Sequence, residues 1–294
     1  MSVSTTRLTT AMFIALAFTG VCVRSATAQF TQSGTAYYTT ADYTLNTDVS
    51  GSEVFVGKNT DFSDVPGSIT LTVATGAVTT FSPGGTNGFA GVAVFGNHNI
   101  AIGGSNTVFR TGGYDTSTTA ISGGAVTYAT GFGTSITNIT GGNVFDVTGF
   151  DNSVVNINNT TSVGGIDFAT GFDSSRFRVS GGRLANGIIL NSTGSTLDIV
   201  GTGLGYTYGE YGFVPAYNRF ADRFQVTGTV GGELQTYDVF LQNPLGMGGI
   251  ANNVPRQFTF NGAAPTAAVV PETGTFALLL PGIVLGAAVI RRKK

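Results

Sequence analysis

Four stretches in the middle of the chain, TGGYDTSTTAISGG, TGFGTSITNITGG, TGFDNSVVNINN and TGFDSSRFRVSGG, repeat one another column by column. Gly113, Gly131, Gly149 and Gly171 share one column, and the next is aromatic: Tyr114, Phe132, Phe150 and Phe172. Ser117, Ser135, Ser153 and Ser175 form a third. Ile121, Ile139, Ile157 and Val179 form a fourth, which Ile199 extends, with steps of 18, 18, 22 and 20 residues. A period near 20 is too short for paired-helix repeats and fits one coil of a parallel β-solenoid. Successive coils of such a fold stack at the strand spacing of about 4.8 Å, so a column of the sequence becomes a row along the axis. The β-branched column then faces inward as an aliphatic ladder, and the glycines occupy corners that need positive φ or close packing. Asn97, Asn99, Asn138, Asn152 and Asn156 suit turns and amide ladders. A β-sandwich is the competing architecture, but it gives no reason for four columns to stay in phase. The strict six-residue period of left-handed β-helices is missing, so the right-handed form is expected.

Composition agrees with an all-β chain. Only 10% of the residues are charged and 44 are glycine, which argues against an ordinary cytosolic enzyme. Hydrophobic residues make up 41%, many of them β-branched or aromatic, enough to bury a core rather than stay disordered. The solenoid body is expected over residues 29–200. Its first part carries the less regular runs SEVFVG, SITLTVATGAVTTF and GVAVFG together with an N-terminal cap, because an open solenoid end exposes unpaired strand edges. After Val200, GTGLGYTYGEYGFVPAYNRF is aromatic and irregular. DRFQVTGTVGGELQTYDVFL then alternates on both sides of Gly231-Gly232, as a hairpin does. Residues 201–262 are expected to form a C-terminal β cap or small β subdomain, and 263–269 a linker.

Residues 1–28 read as a secretory signal. Arg7 supplies the positive start, residues 8–23 are mostly apolar, and Ala26-Thr27-Ala28 is a small-x-small site that places the cut before Gln29. The single cysteine, Cys22, lies in this segment, so the mature chain is expected to have no thiol and neither disulfides nor cysteine catalysis. Removing both ends takes away six of the 14 basic residues and one of the 16 acidic ones, leaving a body of net charge about −7. That charge disfavours nucleic acid and anionic lipid.

Candidate chemistry in the body is sparse. Asp115, Asp151 and Asp173 share a column, with Gly133 between the first two. Stacked carboxylates on a solenoid are candidates for a cation, a sugar or acid–base work, but aspartate after an aromatic at a corner is ordinarily a turn residue. The only histidine, His98, has no second histidine for a metal site and reads as a polar turn residue. The aromatic column reads as an internal ring stack, with a sugar-stacking platform as the alternative. No catalytic constellation, metal site or cofactor motif is legible.

The C-terminus carries an address. Residues 275–290 are apolar and are followed at once by Arg291, Arg292, Lys293 and Lys294. As a helix, sixteen residues reach only about 24 Å, short of a hydrocarbon core of roughly 30 Å. Pro281-Gly282 would also kink it. The basic end stays cytoplasmic by the positive-inside rule, which leaves the body outside. In front of this marginal span stand Val270, Pro271, Glu272, Thr273 and Gly274. Residues 270–294 closely resemble the PEP-CTERM sorting domain of bacterial exported proteins: Val270-Pro271-Glu272, Gly274-Thr275 and FALLLPGIVLGAAVIRRKK follow in order, and Thr273 stands where that family has its second proline.

The resemblance implies export, recognition by a membrane-embedded exosortase that cleaves near the motif, and transient membrane residence through the C-terminal helix. It also implies an association with bacteria that make exopolysaccharide and biofilm matrix. VPETG is similar as well to the sortase tag of Gram-positive walls, but Val270 stands in place of leucine and no polar spacer precedes the apolar run.

Two functions follow as expectations. The first is a non-enzymatic exported structural or adhesive protein of the cell surface or matrix, with exopolysaccharide as a partner and no cofactor. The second is a β-helical polysaccharide lyase or glycosidase working through the aspartate column.

Overall fold

The computed structural model describes residues 30–33, 36–46, 49, 53–74, 78–79, 91–158, 165–209, 212–214, 219–242 and 257–265. The signal segment with Ala26, Ala28 and Gln29, the sorting motif 270–274, the apolar run 275–290 and the basic end 291–294 lie outside these residues. Among the described residues every regular element is a strand, and no helix is long and apolar enough to cross a membrane.

The described residues are all-β, and their strands wind into a parallel β-solenoid. The described strands stack on three faces. One face, A, stacks Ala36–Thr39, Glu53–Val56 and Gly91–Val94, then 111–113, 129–131, 147–149 and 169–171, then Ile188–Leu190 and 239–241. Face B stacks Tyr43–Leu45, Thr70–Val73 and Asn99–Ile102, then 118–121, 136–139, 154–157 and 176–179, then Thr196–Ile199 and Phe258–Phe260. A shorter face, C, runs from Val78–Thr79 through 107–108, 125–126 and 143–144 to Ile166 and Leu184.

The repeat columns become rows as expected. Ile121 pairs with Ile139, Ile139 with Ile157, Ile157 with Val179 and Val179 with Ile199. The row also extends downward through Ile102 to Val73. All of these side chains are buried in one continuous core, with Val108, Val126, Val144 and Ile166 contributed by face C. Burial of each such side chain contributes about 1.5–3 kcal/mol, offset in large part by chain entropy.

Both ends of face A are covered. At the start, Phe30–Ser33 pairs antiparallel with Ala36–Thr39. At the other end, Arg219–Val230 and Glu233–Leu241 form an antiparallel hairpin. Its turn is Gly231-Gly232, at φ 62 and 86, which the positive-φ positions of a two-residue hairpin turn favour. The end of the second hairpin strand lies parallel on Ile188–Leu190 and Phe258–Phe260 lies parallel on 197–199, so 239–241 and 258–260 are further rungs of faces A and B. Within 201–262, it is Thr202–Tyr208, Gly212–Val214 and Arg219–Val230 that leave the coil path.

His98 holds the long corner between 57 and 69. Its ring is 3% exposed, Nδ1 accepts from the Ile69 amide at 3.1 Å, and Nε2 donates to the Val65 carbonyl at 3.1 Å. The sequence suggests a polar turn residue; the structure makes it a buried staple. Burial holds its pKa below the usual histidine range, against the opposing pull of Val65 and Asp64. The unfolded chain, titrating near 6.5, therefore binds a proton before the folded one. The contribution of His98 is fully present above that pH and is lost as pH falls from about 6.5 towards the lower folded value. Thermal melts should show Tm dropping across this window, and His98→Gln should flatten that part of the profile.

Candidate functional site

The aromatic column forms a ladder. Ring centroids lie 4.7 Å apart for Phe95–Tyr114, 4.9 Å for Tyr114–Phe132, 4.9 Å for Phe132–Phe150 and 4.7 Å for Phe150–Phe172, with planes within 10° of parallel. The rings are half-buried and stand outside the main aliphatic core, so the stack is external rather than internal. Tyr114, Phe132 and Phe150 have a stacked ring on both faces, so these three turn only edges outward. The ladder itself therefore offers no flat platform to a sugar; it stabilises the stack of corners, each pair contributing about 0.5–1.5 kcal/mol beyond area burial.

The aspartate column turns the corner next to it. Asp115, Asp151 and Asp173 have φ of 58, 55 and 54, and Gly133 in the same column has φ 65. This is the left-handed region that glycine, asparagine and aspartate tolerate best. The carboxylates also tie coils together: Asp151 Oδ2 accepts from the Gly133 amide at 3.0 Å, and Asp173 Oδ2 from the Asp151 amide at 3.4 Å. The Asp173 amide donates in turn to Ser192 Oγ at 2.8 Å. The three acids are brought into one row, and their geometry is that of turn residues. Among the described residues no three histidine, cysteine, aspartate or glutamate side chains form a group that could hold a metal ion.

Beside the ladder runs an open trough of about 720 Å³ on the outer surface of face A. Strand alternation places its floor: in 129–131, 147–149 and 169–171 the flanking residues point into the core, so Thr130, Thr148 and Thr170 point outward. One wall is made by Phe132, Phe150 and Phe172, and the other by Tyr128, Phe145 and Phe168. Rings of the second wall meet edge to face, at 76° for Phe109–Tyr128, 85° for Tyr128–Phe145 and 63° for Phe145–Phe168. Phe145 is 45% exposed.

Two charged groups line the trough. The Arg110 guanidinium lies 5.4 Å from the Tyr128 ring centre, a cation–π distance. Asp146 accepts from Thr148 Oγ1 at 3.0 Å. Burial pushes the Asp146 carboxyl above the usual range, opposed by the Thr148 bond and by Arg110. Among the described residues lining the trough, Asp146 is the only carboxylate. Glycosidases ordinarily flank the scissile bond with two. Nothing in the sequence columns singles out Asp146, Phe145, Phe168 or Tyr128. Their register was the available signal: Arg110, Tyr128, Asp146 and Phe168 are stacked partners, a row whose chemistry changes at every coil.

No family model, curated protein or solved structure matches the chain.

Proposed function

We propose that this chain is an exported, non-enzymatic structural or adhesive protein of a bacterial surface or matrix. In this reading an exosortase-type membrane enzyme sorts it at residues 270–274, and its right-handed β-solenoid is displayed outside the cell. The observation that carries the proposal is the pairing of a coil-stacked body with an address at each end: Ala26-Thr27-Ala28 in front, and VPETG with a short apolar run and a basic stop behind. The outward site supports the same reading, because the trough presents side chains suited to contact and a single acid. The lyase or glycosidase reading loses support from the aspartate column, whose members turn corners and bind backbone amides of neighbouring coils.

Deleting residues 271–294 tests the sorting claim. The truncated chain is expected to miss the surface or matrix fraction that the full chain reaches in its host, by immunoblot of fractionated cells. Unchanged location would remove the basis of the proposal.

A further inference from the structure

We infer that the trough on face A binds a neutral polysaccharide, two or three sugar rings at a time. The argument starts from its chemistry. A pyranose has an apolar C–H surface and a rim of hydroxyls. The trough offers the complement: aromatic walls on both sides and a central row of threonine hydroxyls, Thr130, Thr148 and Thr170, one per coil. That row repeats at about 4.8 Å, so a ligand of repeating units meets a threonine hydroxyl at each step. The two walls differ in use. Phe132 and Phe150 spend both faces on stacked neighbours and offer edges, and Phe172 gives one face to Phe150. Phe145 meets Tyr128 and Phe168 edge to face and stays 45% exposed, so it is the ring with free area for a sugar.

Charge selects the ligand further. Arg110 and Asp146 offset each other inside the trough, and the exported body is acidic overall, so a polyanionic chain gains nothing there. The length is bounded as well. The outer surface of face A is filled at one end by Tyr38, Phe55 and Ala93, and at the other by Ile189, Ala221 and Phe240. The threonine rows between them span about 10 Å.

This inference deepens the matrix role proposed above and rests on it only for where the glycan comes from. The test uses the full chain in mild detergent, titrated calorimetrically with cello-, manno- and xylo-hexaose and with oligogalacturonate. At least one neutral hexaose is expected to bind, and the acidic oligomer is not. Phe145→Ala should weaken binding tenfold or more with an unchanged circular dichroism spectrum. Ile136→Ala, at an apolar residue 38% exposed on face B, should leave binding intact. The inference is overturned by no neutral ligand binding, by binding of oligogalacturonate alone, or by equal losses in both variants. It is also overturned if sedimentation shows a dimer that Phe145→Ala dissolves, since a second copy would then occupy the trough. Binding by a protein that sorts wrongly would contradict export alone; correct sorting without binding would contradict this site alone.

Discussion

Ile139→Asp is expected to prevent the coil stack from folding, whereas Ile136→Asp, three residues earlier on the same strand, leaves it folded. Ile139 is 0% exposed and sits in register between Ile121 below and Ile157 above, all inside the aliphatic core. Replacing it forfeits about 2–3 kcal/mol of apolar burial. It also places a carboxyl between the hydrocarbon side chains of Ile121 and Ile157, and the group must be protonated or expel its surroundings, at a cost of several kcal/mol more. The total approaches the whole stability of an ordinary domain, about 5–15 kcal/mol. Ile136 is 38% exposed and points outward, so the same substitution there should change stability by no more than about 0.5 kcal/mol. Thermal melts followed by circular dichroism compare the two. A folded Ile139→Asp chain would mean that the face B ladder does not point inward.

Gly124→Val should come close behind. Gly124 makes the corner between faces B and C at φ +76, and a Cβ there would fall 2.2 Å from Asn106 Oδ1 and 2.6 Å from the Asn106 carbonyl oxygen. Asn106 is 1% exposed, and its amide donates to the Val73 carbonyl of the coil below at 2.9 Å and to the Gly103 carbonyl. A valine must adopt a left-handed backbone, displace this amide and leave buried carbonyls unpaired. Together these cost on the order of 4 kcal/mol. Gly203 provides the comparison: its φ is +61 with no atom within 4 Å of an added Cβ, so Gly203→Val carries only the backbone strain, about 1–2 kcal/mol. Equal losses at the two sites, in denaturant titrations, would show that Asn106 is not the brace between coils.

Face B was the legible part of the fold. Its inward positions are filled by Ile or Val in coil after coil, so a column survives insertions such as the 22-residue step. One inward row of face A was harder to read, because Thr111, Ala129, Val147, Ala169 and Ile188 range from alanine to isoleucine in size and include a threonine. The glycine column proved to be a packing feature rather than a conformational one. A Cβ on Gly131 would stand 3.2 Å from Ser153 Cβ in the next coil, whereas positive φ belongs to the aspartate column two residues on. Gly133 among the aspartates was the clue, since left-handed backbone is what the two residue types share. The trough was not legible because its second wall draws on two adjacent columns: Phe145 precedes Asp146, and it is Asp146 that pairs with Phe168. Only the folded coil brings these rings into one line.

The most direct test of the proposed role is the intact mass of the protein recovered from the surface or matrix of its host, with peptide mapping of both termini. The expected chain begins at Gln29 and lacks the apolar run 275–290 and the basic residues Arg291, Arg292, Lys293 and Lys294. A chain still carrying Met1 and Lys294 in the cytoplasm would contradict export. A terminal Thr273 joined to a peptidoglycan cross-bridge would contradict the exosortase reading in favour of a sortase.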